Sequence, residues 1–484
     1  MGRFPAYKLT SSTFLLFSFF TALLTSLPGI FFRNSLDWDE DVFQYVTQRI
    51  VFHFELPYTT TFENKPPLAY LMYMIPVFLQ AEDKIVIRLF ASALIAIIAY
   101  LLAQIFLSEE ASRTRLAFVL IFVVIFRFYP GGFTWLTELN GITTLVLLMY
   151  LTTRALKYNR GITFFLNGLM SSCVILTRTN LFIPVFLLMT FLIVISNKRS
   201  NMNRSKILYF FFGVSLPFVA FILLYLEMGY IQELFKGFIQ LPIEISDGRS
   251  QIQFGIRRSI IYLSNLFLSL YLLIKISDSH SVESKIRRQV LVITNVGILL
   301  SIILNLPNFG HHLLQIIPTT IVMVFLAFRD ISTKPNFFPR ISFVFVCLSL
   351  FIVSITQNTP RPNPALWREE QKLIQQMKDV GLESGDTLWS PNFAYLYSRF
   401  RTSPITSIFI HPANLYDNGI ISTWKGRTYT QAAAVDDILQ DSPEWLVFKK
   451  HSAVFDLFMN SPFSQRYIPI KQVSAPDVVV FRLT

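Results

Sequence analysis

Long apolar runs separated by short polar connectors fill the chain from Ser12 to Ile355, after which the pattern changes. Measured against the roughly 20 residues a helix needs to cross a bilayer, the runs predict about eleven spans. They are centred in Ser12–Phe32, Ile85–Leu107, Leu116–Tyr129, Thr134–Thr153, Thr163–Leu176, Leu181–Ser196, Ile207–Leu226, Ile260–Ile274, Val290–Leu304, Leu313–Phe328 and Ile341–Ile355. Several are short and need polar ends to reach the required length. The first long connector, 33–84, predicts an amphipathic helix near Val42–Phe54. It also holds an apolar piece, Leu68–Leu79, too short to span, so both are expected to lie along the membrane interface.

Past Ile355, Thr359-Pro360-Arg361-Pro362-Asn363-Pro364 reads as a linker. Arg368–Val380 then places Leu373, Ile374, Met377 and Val380 at a helical period. Strand-like runs follow at Thr387–Trp389, Ile408–Ile410, Leu446–Phe448 and Val478–Phe481. The organisation predicted is a polytopic α-helical membrane domain, 1–355, a proline-rich linker, 356–366, and a small soluble α/β domain, 367–484.

Composition agrees with this class. The chain has 484 residues, 53% of them hydrophobic and 15% charged, whereas ordinary soluble domains carry about 25% charged residues. The net charge of +12 does not point to nucleic acid, because no basic-aromatic module accompanies it. Basic residues instead mark alternate connectors: Arg113 and Arg115; Arg154, Lys157 and Arg160; Lys198 to Lys206; Lys275 to Arg288; Arg329 to Arg340. By the positive-inside bias these face the cytoplasm, which puts the N-terminus inside and the last domain outside the plasma or inner membrane. Arg3 and Lys8 before the first run resemble a signal peptide, but the run is too long for one, so it reads as an uncleaved span. Cys173 and Cys347 both sit in apolar runs, with no metal or disulfide spacing.

The polar residues worth weighing gather at the predicted outer face. Asp37-Trp38-Asp39-Glu40-Asp41 follows the first span closely, and ionisable groups beside hydrocarbon are functional candidates by default. A carboxylate can take the proton from an incoming hydroxyl or amine if it lies within hydrogen-bond reach, and Asp39 and Glu40 suit that role. The competing reading is a solvated acidic loop that favours the positive end of the helix beginning near Val42. A second block, Phe62-Glu63-Asn64-Lys65-Pro66-Pro67, carries an acid and a base before two prolines. Proline keeps Lys65 extended, where its ammonium could hold a lipid-linked phosphate or act as a snorkelling anchor.

Together these blocks resemble the polyprenyl-phosphate-sugar-dependent membrane glycosyltransferases of the GT-C fold, which include protein mannosyltransferases and aminoarabinose transferases. Thr137-Glu138 is similar to the family's Thr/Pro-Glu element, and Leu176-Thr177-Arg178 to its Arg-bearing turn. Phe309-Gly310-His311-His312-Leu313-Leu314-Gln315-Ile316-Ile317-Pro318 is similar to a late Gly-His-Tyr-Leu-Leu-Gln-Leu-Leu-Pro motif. The chain departs from the pattern at Asn64, where many members have His, and at His312, where Tyr is more frequent.

The resemblance implies a GT-C-like fold and an inverting glycosyltransferase moving a sugar from a polyprenyl-phosphate donor to a lipid, glycan or protein. Asp39 matches the implied catalytic base, with Glu40 beside it, and Glu63 shares that role or orients the acceptor. Lys65 matches the lysine implied at the donor phosphate, with Arg178, His311 and His312 as further phosphate contacts. Glu138 joins Arg178 in the cavity or simply pairs with it. Arg257 and Arg258, before the eighth span, bind phosphate or anchor the helix at the interface. A divalent cation held by Asp39 and Glu40 stays an open alternative. Two other classes compete: a transporter or flippase of an anionic glycolipid, and a non-catalytic envelope polysaccharide assembly protein.

Overall fold

The computed structural model describes residues 10–31, 38–59, 65–79, 84–108, 110–128, 134–200, 204–243, 256–276, 281–304, 310–333, 364–405, 421, 429–473, 475 and 477–484. Two compact units emerge, each assembled from separated stretches. The first combines Met1–Gly29, Arg88–Phe221 and Gln251–Arg361, and the second Ile30–Ile87, Ile222–Ser250 and Pro362–Thr484.

Each expected span from the first to the tenth coincides with a described helix. In order these are Ser11–Phe31, Lys84–Phe106, Ser112–Phe128, Thr137–Tyr158, Gly161–Thr177, Phe182–Ser200, Arg204–Glu227, Ile256–Ile276, Val282–Leu304 and Ile317–Thr333. The eleventh, Ile341–Ile355, and the proline-rich linker up to Asn363 lie outside the described residues. Among the described residues, 6 helices are long and apolar enough to cross a membrane, with shorter apolar helices at Ser11–Leu27, Gly161–Thr177 and Ile261–Ile276.

Lipid offers no hydrophobic drive for helices to associate, so small residues and polar contacts hold the first unit together. A Cβ on Gly168 would lie 2.1 Å from the Phe210 carbonyl oxygen, and one on Gly213 would lie 2.2 Å from that of Phe165. The helices Gly161–Thr177 and Arg204–Glu227 therefore cross backbone to backbone. Gly297 admits Pro184 in the same way, at 2.5 Å from its Cα. Polar side chains stitch the interior. Thr319 donates to Asn295 Oδ1 (2.8 Å), Thr320 to Asn265 Oδ1 (2.5 Å), and the Asn295 amide to Ser269 Oγ (3.0 Å). Arg127, fully buried, donates to Ser26 and, at 2.6 Å, to Ser92, tying together the helices Ser11–Phe31, Lys84–Phe106 and Ser112–Phe128. The basic connectors find acids: Arg288 pairs with Asp330 (3.0 Å), Arg329 with Glu110 (2.8 Å) and Lys157 with Glu283 (2.9 Å).

In the second unit, a mixed sheet runs in the order β2-β1-β3-β5-β4. Its strands are β1 Thr387–Trp389, β2 Ser403–Pro404, β3 Trp445–Lys449, β4 Tyr467–Pro469 and β5 Val478–Leu483. β1 pairs in parallel with β2 and β3, while β5 runs antiparallel to β3 and β4. Trp389, Phe448, Phe458 and Phe481 form its aromatic core, with Phe458 and Phe481 ring centroids 4.9 Å apart. The Ile408–Ile410 run lies outside the described residues.

Candidate active site

Asp39, Glu40 and Asp41 occupy the first turn of the helix Trp38–His53. Carboxylates are favoured there by the unpaired backbone N–H groups of the helix start. The helix expected near Val42–Phe54 forms, beginning at Trp38. Every residue from Glu40 to Arg49 is buried, on all faces of the helix, and Asp39 is half-buried. The apolar piece Leu68–Leu79 folds as two short helices, Pro67–Leu71 and Met74–Phe78, against one side of this acidic helix. Thr47 Oγ1 donates to the Tyr70 carbonyl (2.9 Å), and the Phe43 ring meets those of Tyr70 and Tyr73 at 6.0 and 5.7 Å.

A different side of the acidic helix is gripped by residues far along the chain. The helix Tyr395–Phe400 packs on it. Tyr45 donates its hydroxyl to the Thr402 carbonyl (2.9 Å) and sets its ring 5.2 Å from that of Tyr397. Tyr397 in turn accepts from the Ser390 N–H at 2.7 Å. Burial pushes both phenols well above the usual tyrosine range. Tyr395 is raised as well, by burial first and then by the carboxylates of Glu370, Asp41 and Glu369. Sequence reasoning missed this clasp, since Tyr45 reads only as part of an amphipathic pattern.

Lys65, half-buried, immediately precedes the Pro66 cap of the helix Pro67–Leu71, where Pro66 is extended at φ −61° and ψ 153°. Its carbonyl accepts from the Tyr58 hydroxyl at 2.5 Å. Tyr58 is fully buried and left-handed, with φ 71°. Its ring fills the space beside Gly237, where a Cβ would lie 2.5 Å away. Tyr225 donates to the neighbouring Pro57 carbonyl at 2.7 Å. The backbone bearing Lys65 is thus tethered from inside the second unit. Glu63 lies outside the described residues.

In the first unit, three of the sequence motifs converge at one end of the bundle. Glu138, 1% exposed, forms a buried ion pair with Arg178 Nη2. Arg178 Nη1 donates to Thr137 Oγ1 at 2.6 Å. Gly141 makes room for this, since a Cβ there would meet Leu181 at 2.9 Å and Arg178 Cβ at 3.1 Å. Beyond Arg178 the chain turns through the short helix Thr179–Leu181, and the Asn180 amide donates to Gln315 Oε1 at 3.4 Å. Gln315 ends the 3₁₀ segment Gly310–Gln315, which packs on the helix Thr137–Tyr158. Asn140, Asn180 and Gln315 were not singled out from sequence, although Gln315 stands inside the late motif.

His311 and His312 belong to that 3₁₀ segment, and Arg257 and Arg258 to the start of the helix Ile256–Ile276. The side chains of all four lie outside the described residues. Among the described residues, no group of three or more His, Cys, Asp or Glu is placed to hold a metal ion.

No family model matches the sequence, and no curated protein matches it. Solved structures do match. The fold is similar to that of ArnT from Cupriavidus metallidurans bound to undecaprenyl phosphate, with a TM-score of 0.62, 9% identity and 98% of each chain covered. ArnT in the apo state matches at 0.61 and 10% identity, over 97% of this chain and 98% of that one. The Archaeoglobus fulgidus oligosaccharyltransferase tethered to an acceptor peptide matches at 0.51 and 8% identity, over 95% of this chain and 72% of that one. The fold is therefore that of the GT-C membrane glycosyltransferases. The chain reads as an integral membrane protein on its apolar helices and on this likeness.

Proposed function

We propose that this protein is an inverting membrane glycosyltransferase that moves a sugar from a polyprenyl phosphate to a lipid, glycan or protein acceptor on the outer face of the membrane. The observation that carries this reading is the end-to-end likeness to a protein whose structure holds undecaprenyl phosphate. The buried carboxylates at the start of the acidic helix support it. In the reaction, an acceptor oxygen or nitrogen attacks the anomeric carbon opposite the phosphate. The new bond forms as the bond from that carbon to the phosphate oxygen breaks, and the electron pair leaves with the phosphate. Asp39 takes the acceptor's proton, with Glu40 and Glu63 beside it in supporting roles. Lys65 holds the phosphate and stabilises the charge that grows on it in the transition state. His311 and His312 complete the phosphate contacts, while Arg257 and Arg258 anchor their helix near the membrane surface. Arg178, which pairs with Glu138 and donates to Thr137, keeps further N–H groups to donate and serves as another phosphate contact.

The test uses purified protein with a set of polyprenyl-phosphate sugars and a radiolabelled sugar as readout. Asp39→Asn is expected to lower turnover by about 10²- to 10⁴-fold, the usual contribution of a general base. Lys65→Met is expected to weaken donor binding. Failure of every donor to react, or an Asp39→Asn variant as fast as the parent, overturns the assignment.

A further inference from the structure

We propose that Tyr45, Tyr397 and Arg401 are positioning residues for sugar transfer: through them residues 395–402 fix the rotation of the helix Trp38–His53 about its own axis, and with it the direction in which Asp39 faces. The proposal rests on the transferase reading above and concerns the second unit alone, to which all these residues belong.

A helix turns by about 100° per residue. Asp41, Tyr45 and Phe52 therefore fall within about 40° of one another around the axis, on a single stripe. That stripe is what the helix Tyr395–Phe400 and the residues after it hold. In its middle, the Tyr45 hydroxyl donates to the Thr402 carbonyl at 2.9 Å, and the Tyr45 ring lies 5.2 Å from that of Tyr397. At one end, the Arg401 guanidinium stands over the Phe52 ring, 5.4 Å from its centre, close enough for cation–π attraction. At the other end, Tyr395 is raised by burial first and then by the carboxylates of Glu370, Asp41 and Glu369, so Asp41 lies within electrostatic reach of it. From Asp41 to Phe52 the stripe runs about 16 Å, long enough for the grip to resist tilt as well as rotation.

Asp39, Phe43 and Thr47 share the opposite face, about 180° from the stripe. Phe43 and Thr47 meet Tyr70 and Tyr73, in and just after the helix Pro67–Leu71. Lys65 directly precedes the cap of that helix. The grip from behind thus turns the Asp39 face toward the segment that carries Lys65. A rotation by one residue, about 100°, would carry Asp39 off that face. Even a shift of about 1 Å, caused far from the chemistry, can slow a reaction by about 10²-fold.

The experiment uses full-length protein in lipid nanodiscs, in saturating excess over the radiolabelled polyprenyl-phosphate sugar that the parent turns over fastest. A single turnover then yields a rate constant that belongs to folded protein, because unfolded copies in the excess do not contribute to it. Tyr45→Ala is expected to lower this rate constant roughly ten- to a hundredfold. Tyr45→Phe, which keeps the ring and loses the hydroxyl, is expected to recover part of the loss. Placed on Asp39→Asn, Tyr45→Ala is expected to change the rate by less than about twofold, because no base is left to direct. Where Tyr45→Ala yields no folded protein, Tyr45→Phe makes the same comparison in both backgrounds. A rate constant equal to the parent's, or a loss that multiplies in full with that of Asp39→Asn, overturns the positioning role. A parent that transfers no sugar, or an Asp39→Asn variant as fast as the parent, sinks the transferase reading instead, which separates the two failures.

Discussion

The buried pair between Glu138 and Arg178 sets a stability test with a calculable size. Their side chains are 2% and 8% exposed, so neither charge can be rehydrated if the other is removed. Stranding one member of such a pair costs about 3–5 kcal/mol. The 2.6 Å bond from Arg178 to Thr137 survives the loss of Glu138, and a hydrogen bond to a charged group contributes roughly 1.5–3 kcal/mol. Glu138→Gln, whose amide oxygen can still accept, should therefore fall near the lower end, about 3 kcal/mol, and Glu138→Leu near the upper. Removing both charges with Glu138→Leu and Arg178→Met should recover most of the loss, because no charge is left stranded. Reversible unfolding of the purified protein in a bilayer mimic, read by tryptophan fluorescence on Glu138→Gln, Glu138→Leu, Arg178→Met and the double variant, measures the coupling directly. A Glu138→Gln variant within about 1 kcal/mol of the parent, or a double variant as unstable as the two singles summed, would refute this account.

Gly213→Val should destabilise the crossing with the helix Gly161–Thr177 by at least the ~1–3 kcal/mol typical of overpacking, since the atom it meets at 2.2 Å is backbone and cannot swing aside; a thermal melt of the variant settles it. The tyrosine clasp predicts alkaline weakening. Tyr45 and Tyr397 are held above the ordinary value of about 10, so their contribution is intact below that pH. It is lost as pH rises past it, because the unfolded chain ionises first. Tyr397→Phe should flatten this high-pH slope, and an unchanged slope contradicts the burial argument. Tyr58→Phe frees the Lys65 carbonyl from its tether and is expected to raise KM for the donor more than it lowers kcat. A pure stability loss with unaltered kinetics would deny Tyr58 a positioning role.

The spans were legible because lipid imposes one simple demand, a long uncharged run, and among the described residues 6 helices meet it on length and composition alone. The acid and lysine blocks were legible for the opposite reason, as charge next to hydrocarbon. What stayed hidden depends on partners remote in sequence. The acidic helix carries an amphipathic pattern, yet Glu40 to Arg49 are buried on every side, and Tyr70, Tyr73 and Tyr397, which pack on Phe43 and Tyr45, come from elements that its own pattern does not name. β2 and β4, at 2 and 3 residues, are too short to carry a period-two signal. Asn180 and Gln315 look like ordinary loop amides until the turn after Thr177 meets the 3₁₀ segment. The second unit gathers stretches as far apart as Ile30–Ile87 and Pro362–Thr484, a grouping that no local pattern announces.

The bond from Tyr45 to Thr402 joins positions 357 residues apart. At the ~5–20 residues per second of protein synthesis, the acidic helix leaves the ribosome roughly 20 to 70 s before its clasp exists. During that interval the proposed base sits on an unsecured helix, so a half-made chain carries the acids without the means to aim them. A premature stop before Thr402 would leave the chain in that state permanently, inserted in the bilayer but never armed.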